Sequence, residues 1–181
     1  NINLHLGDCL EAMKEMPDNT YDLAIVDPPY GIGAENHAGK KENGWTQWVK
    51  KDWDKAIPTA EYWQELFRVS KNQIVWGGNY MTEYLPPKMG WIVWDKGQRD
   101  FSLADGELAW TSFDKAMRIF TYARAKALQE GKIHPTQKPV KLYEWILDKY
   151  AKEGDKILDT HLGSGSIAIA CHNRKFDLDA W

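Results

Sequence analysis

In Asp27-Pro28-Pro29-Tyr30 a carboxylate, a free backbone carbonyl and an aromatic face share one stiff stretch of chain. Neither proline can donate a backbone hydrogen bond, and each fixes its φ, so the tetrapeptide is an extended, rigid turn. That set suits the gripping of a planar ring with an exocyclic amino group. Asp27 and the Pro28 carbonyl can each accept one N–H, and Tyr30 can stack on the ring. A strand that ends in an ordinary proline turn would look the same from these residues alone.

Other sets lie elsewhere in the chain. Asp159-Thr160-His161-Leu162-Gly163-Ser164-Gly165 is a glycine-rich turn. It lacks the Gly-Lys-Ser/Thr of a phosphate-binding loop. Only two of its glycines fit the dinucleotide fingerprint. It supports close contact with a cofactor part that is not a pyrophosphate. His134-Pro135-Thr136-Gln137-Lys138-Pro139 is a rigid segment ahead of a helix. Thr136, Gln137 and Lys138 are donors near that helix's amino end, where an anion is welcome. Asp8 and Cys9 follow a short strand, and Asp8 also reads as a helix cap. Lys40, Lys41, Lys50 and Lys51 are interleaved with Trp45, Trp48 and Trp53. Cations for phosphate and flat faces for bases are what a nucleic-acid strand needs. Glu35, Glu42, Asp52 and Asp54 dilute that charge, and for any one of these lysines taken singly a solvated loop residue is the better reading.

The elements that must position these residues alternate between strand and helix patterns. Leu23–Val26 is a continuous apolar run, the mark of a buried strand within a parallel sheet. With the strand Ile2–Leu6 and the helix bearing Leu10, Met13 and Met16, it makes a β-α-β unit. Asp8 and Asp27 then lie at the carboxyl edge, where open α/β sheets bind ligands. Thr59 can cap a helix that runs to Ser70 with Tyr62, Trp63, Leu66 and Phe67 on its buried face. Gln73–Trp76 and Trp91–Trp94 read as further strands. Gly77-Gly78 after the first of them permits a close backbone approach to a ligand. Glu107–Phe113 and Ala116–Tyr122 flank Asp114-Lys115 and predict an antiparallel hairpin. Val140, Tyr143, Ile146, Leu147 and Tyr150 give the helix after Pro139 an apolar face. Lys156–Asp159 and Phe176–Trp181 complete the strands, on either side of the small-residue helix Ile167–His172.

Composition narrows the class. The 181 residues suggest one domain, 1–181, with enough chain for a sizeable core. Residues 34–57 read as a long loop after the central strand, facing DNA if the lysines bind it. A net charge of −3 gives no global signal for nucleic acid, so basic surface must be local. Two cysteines, Cys9 and Cys171, make neither a disulfide framework nor a metal-ligand pattern, and fit a reduced cytosolic chain. No apolar run approaches a membrane span. The chain reads as trimmed at its ends, with Trp181 inside a strand.

Taken together, Asp-Pro-Pro-Tyr, then His-Pro-Thr-Gln-Lys-Pro, then Asp-x-x-x-Gly-Ser-Gly resembles the motif order of the beta-class amino DNA methyltransferases, which use S-adenosylmethionine. The resemblance runs from Gly7 to about Trp181. It implies an α/β Rossmann-like fold with a mostly parallel seven-stranded sheet, an antiparallel hairpin at one edge, and a circularly permuted order. It implies that Asp27, Pro28, Pro29 and Tyr30 are catalytic. Cofactor contacts would come from Asp8, Cys9, Asp27, Thr136, Gln137, Lys138, Asp159, Gly163, Ser164 and Gly165. Thr160-His161 stands where the family has Pro-Phe, and the acidic residue for the ribose should fall beyond Trp181.

The resemblance also implies a reaction. The expected substrate is the N6 amino group of adenine in double-stranded DNA, because an aspartate heads the tetrapeptide. Cytosine N4 is the alternative, as is an inactive DNA-binding relative. The setting would be a restriction-modification system in the cytoplasm of a bacterium or phage-infected cell. No metal and no membrane are expected, and a homodimer is compatible with the family.

Overall fold

The computed structural model describes residues 1–33, 54–100, 104–123, 126 and 137–181. The elements run β1 (Ile2–Leu4), α1 (Cys9–Lys14), β2 (Tyr21–Val26), α2 (Ala60–Val69), β3 (Ser70–Trp76), β4 (Ile92–Asp95), β5 (Gly106–Thr111), β6 (Arg118–Thr121), α3 (Val140–Tyr150), β7 (Lys156–Asp159), α4 (Ser166–Arg174) and β8 (Asp177–Ala180). They build one eight-stranded sheet in the order β1-β8-β7-β2-β3-β5-β4-β6. All pairs are parallel except those that β5 makes with β3 and β4. Seven strands therefore point one way, and β5 alone runs back.

The apolar run of β2 is buried on both faces, as its lack of alternation predicts. Leu23 and Ile25 face α3 and α4, packing with Leu142, Ile146, Leu147, Ile167 and Ala170. Ala24 and Val26 face α1 and α2, packing with Met13, Tyr62, Trp63 and Leu66. The result is three layers with the sheet between two helix pairs. The face of α2 is the expected one, but Thr59 makes no side-chain cap bond. Among the described residues no helix is long and apolar enough to cross a membrane.

Two expectations are corrected. The sheet has eight strands, not seven. The segments Glu107–Phe113 and Ala116–Tyr122 do not form a hairpin, because β4 lies between them and pairs antiparallel with β5 and parallel with β6. The reason is local. The chain entering β4 passes Gly90, where an added Cβ would meet the Phe113 carbonyl at 2.5 Å and Thr111 Oγ1 at 2.7 Å. The 112–117 connection thus wraps closely around a residue with no side chain. Thr111 Oγ1 donates to the Gly90 carbonyl, and Arg118 N donates to the Trp91 carbonyl at 3.0 Å. A turn signal in sequence says that the chain reverses, but not that a third strand threads between its arms.

Candidate active site

From β2 the chain crosses to β3 on one side, and from β7 it crosses to β8 on the other. Neighbouring strands whose connections depart in opposite directions open a crevice at their carboxyl ends. Both acidic strand exits, Asp27 and Asp159, stand at this crevice.

The exit of β2 is held from outside. Asp54, 1% exposed, takes the Tyr30 N–H at 2.6 Å and the Gly31 N–H at 2.9 Å on one carboxylate oxygen. Its own carbonyl accepts from Gly33 N at 3.1 Å. The prolines leave the ladder, and Asp54 supplies an acceptor to the amides that follow.

Asp27 is enclosed by donors. Tyr30 OH donates to Oδ1 at 2.7 Å, and Lys138 Nζ donates to Oδ2 at 2.5 Å. Lys138 Nζ also lies 3.3 Å from Tyr30 OH and 3.2 Å from Glu107 Oε2. The other Glu107 oxygen meets Lys96 Nζ at 2.7 Å. Burial alone would lower the Lys138 pKa, but the Asp27 and Glu107 carboxylates outweigh it and hold the ammonium above its ordinary value. Burial likewise raises the Glu107 pKa, and the two lysines overcome that and hold it low. The ring of Trp76 lies 5.1 Å from the Lys138 ammonium, and its buried Nε1 has no hydrogen-bond partner among the described residues.

Tyr30 lies flat against the β3 exit. Gly77 has φ +68°, and a Cβ there would sit 2.2 Å from Tyr30 Cε1 and 2.5 and 2.6 Å from Cδ1 and Cζ, hence over the ring face. The backbone approach that this glycine allows is to Tyr30, not directly to a ligand. Tyr80, 45% exposed, stacks on the same ring at 5.2 Å between centroids. Burial, and then the Asp27 charge, push the Tyr30 phenol well above its usual pKa.

The exit of β7 is of another kind. Asp159 accepts the His161 N–H at 2.9 Å and is 3% exposed. Burial first, and the nearby Asp27 charge as well, push its pKa up to about 7 against the opposing pull of the His161 N–H. Thr160 Oγ1 bonds Tyr62 OH at 2.7 Å and His161 Nδ1 at 2.8 Å. Burial lowers the His161 pKa to about 4, so the imidazole is neutral near pH 7. Gly163 (φ +55°) and Gly165 (φ +75°) carry the turn into α4, and space stays open beside Gly165.

Asp27, Gln137, Lys138, His161, Gly163 and Ser164 line one cleft of about 280 Å³, open solvent included. Three segments far apart in sequence thus meet, as the sequence predicts. Pro28 is buried and Pro29 half-buried beside Asp27. Asp8 caps α1, accepting from Leu10 N at 2.8 Å, so its bland reading holds, and its charge also reaches His161. Cys9 feels the charge of Asp159, and burial pushes its thiol up to about 11. Lys138 does not stand free for an anion, because its ammonium, 2% exposed, is committed to Asp27 and Glu107. Thr136, Lys40, Lys41, Lys50 and Lys51 lie outside the described residues, as does most of the 34–57 loop.

Sequence reasoning missed Asp54, Tyr80, Lys96 and Glu107. Glu107 lies at the beginning of β5, whereas ligand sites of open α/β sheets lie at strand ends, and only the reversal of β5 brings it to this edge.

The sheet order and the crevice are those of the Rossmann-like methyltransferase fold. Over its whole length the chain resembles solved structures of that fold. One is the M1.HpyAVI–SAM complex (TM-score 0.66, 18% identity, 99% of this chain and 92% of that one). Another is the cytosine-N4-specific PvuII DNA methyltransferase (TM-score 0.62, 12% identity, 99% and 81%). The N6_N4_Mtase model, described as DNA methylase, matches residues 75–177, and the chain belongs to this DNA methylase family. A relative of known type is the type II methyltransferase M.HpaI of Haemophilus parainfluenzae, 27% identical across 91% of this chain. The chain spans 65% of that relative's length.

Proposed function

We propose that this protein transfers a methyl group from S-adenosylmethionine to the exocyclic N6 of adenine in double-stranded DNA. The observation that carries the reading is that one cleft is lined by both Asp27 and the Gly163-Ser164 turn. A carboxylate suited to an amino group and an open glycine turn suited to a cofactor face the same space.

The residues present fit the cofactor. Open backbone at Gly163 and Gly165, with Ser164 and Gln137 as donors, suits the amino-acid end. Asp159 is a buried carboxylate with no ion pair among the described residues, although the Lys138 charge reaches it, and it would receive the cofactor's ammonium. Asp8 keeps acceptor capacity beyond its bond to Leu10 N for the adenine amino group, with Cys9 adjacent. Bound S-adenosylmethionine would supply an electrophilic methyl group on a sulfonium.

The chain's own part is orientation. The lone pair of an adenine amino nitrogen is delocalised into the ring. Asp27 and the Pro28 carbonyl, each accepting one N–H, would favour a pyramidal nitrogen with its lone pair aimed at the methyl group. Positioning of this kind supplies most of the rate in a direct transfer. The target base must leave the duplex, which costs a few kcal/mol, and the Tyr30–Tyr80 pair offers it an aromatic surface. Lys40, Lys41, Lys50 and Lys51 would bind phosphate. The single domain of residues 1–181 carries all of these parts.

The test is nucleoside analysis of unmethylated duplex DNA after incubation with methyl-labelled S-adenosylmethionine. Label in N6-methyladenine is expected. Label in N4-methylcytosine would replace adenine by the other amino base, which the aspartate heading the tetrapeptide disfavours. Absence of label in either nucleoside would overturn the reading.

A further inference from the structure

At the edge of the sheet that holds the crevice, seven strands present their ends and β5 presents its beginning. Glu107, the second residue of β5, pairs in register with Trp94 near the end of β4, and Gly77 after β3 donates to the Leu108 carbonyl at 2.9 Å. A row of alternating charges follows: Lys96, Glu107, Lys138, Asp27, with contacts of 2.7, 3.2 and 2.5 Å. It links β4, β5, the segment before α3, and the exit of β2.

We propose that Glu107 is a positioning residue for methyl transfer, acting on Asp27 through Lys138. The inference rests on the function proposed above. An ammonium has three donors and a carboxylate about four acceptor sites. The three Lys138 donors have three partners: Asp27 Oδ2, Tyr30 OH and Glu107 Oε2. Asp27 therefore spends one site on Lys138 and one on Tyr30 OH, and keeps the rest for the amino group of the target base. Removal of the Glu107 charge weakens one Lys138 contact and leaves Asp27 as the one anion in contact with it among the described residues. Lys138 then turns further onto Asp27 and competes with the base for the same lone pairs. Glu107 touches neither base nor cofactor in this scheme. Its effect falls on the rate of transfer, not on the binding of S-adenosylmethionine.

The test is a double-mutant cycle in the full chain, with wild type, Glu107→Gln, Lys138→Met and the double variant. Single-turnover rates at saturating S-adenosylmethionine and DNA are read beside melting temperature and calorimetric cofactor affinity. Glu107→Gln is expected to lower the rate about tenfold and leave cofactor affinity within about twofold. In the Lys138→Met chain the same change is expected to cost nothing further, because the route to Asp27 is already cut. Where Glu107→Gln does not fold, Glu107→Asp, with its shorter reach, is read against the same two backgrounds. An unchanged rate in Glu107→Gln, or losses that multiply in the double variant, would overturn the inference. A wild-type chain that transfers no methyl group would instead overturn the function on which it rests.

Discussion

Asp27 and Asp159 stand at the exits of adjacent parallel strands, yet the fold treats their charges in opposite ways. Asp27 meets an ammonium on one oxygen and a phenol on the other. Asp159 meets one backbone N–H and, among the described residues, makes no ion pair; burial pushes its pKa up to about 7 against the weaker pull of the His161 N–H and the Lys138 charge. The first carboxylate is matched from within the protein. The second makes no ion pair among the described residues. In the proposed function these two acids would divide the work, Asp27 presenting fixed acceptors and Asp159 a charge that a bound ammonium would complete.

The largest effect is expected at the matched carboxylate. Asp27→Asn keeps the shape of the side chain but loses the charge and one acceptor. Methyl transfer is expected to fall at least about a hundredfold, with the folded state retained by circular dichroism. A rate near wild type would break the distinction between the two acids. Next comes the support beneath it. Asp54→Ala leaves the Tyr30 and Gly31 amides without their acceptor, at a cost of about 2 kcal/mol. Denaturant unfolding should show that loss, and transfer should fall with it.

Asp159→Asn tests the other side of the comparison in two ways. Calorimetry should show S-adenosylmethionine affinity rising from pH 6 to 8 in the wild type, as Asp159 ionises, and a weaker, flat profile in the variant. Stability without cofactor should change in the opposite sense. A carboxyl whose folded pKa is raised from 3.8 to about 7 contributes most below pH 4 and loses its contribution as pH rises through 7. Relative to wild type, the variant should therefore gain stability between pH 5 and 8. A wild-type minus variant difference that does not vary with pH would show that Asp159 is already paired.

The smallest effect is expected at Tyr30. Tyr30→Phe keeps the ring over Gly77 and loses the donation to Asp27 together with the long contact that the hydroxyl accepts from Lys138. About tenfold in rate, roughly 1.4 kcal/mol, is expected, with little change in melting temperature. A fall as large as that of Asp27→Asn would mean that the phenol, not the ammonium, holds the carboxylate.

Much of the fold is legible in the sequence because its signals are local. The unbroken apolar run of β2, the prolines after it and the glycines after β7 each announce a strand and its exit. What could not be read is what depends on strand order. Nothing near Glu107 marks it as facing Asp27, eighty positions away, until β5 is known to run backwards. Nothing in Gly90 says that another connection wraps around it. Lys138 was legible as a donor beside a crevice, but its partner was not, since a lysine's charge says nothing of which anion it meets. Asp54 reads as one acid among several in a charged stretch, and only its burial sets it apart.

The sheet order also sets a timetable for synthesis. Among the described residues β1 pairs only with β8, and β2 pairs with β3 on one side and β7 on the other. A ribosome therefore releases β1 and β2 long before β7 and β8 exist. For the time it takes to add more than a hundred residues, at roughly 5–20 per second, β1 has no partner and β2 has one bare edge. Unpaired apolar edges of this kind invite pairing with other chains. Residues 156–180 then arrive to sit between β1 and β2 and close both edges.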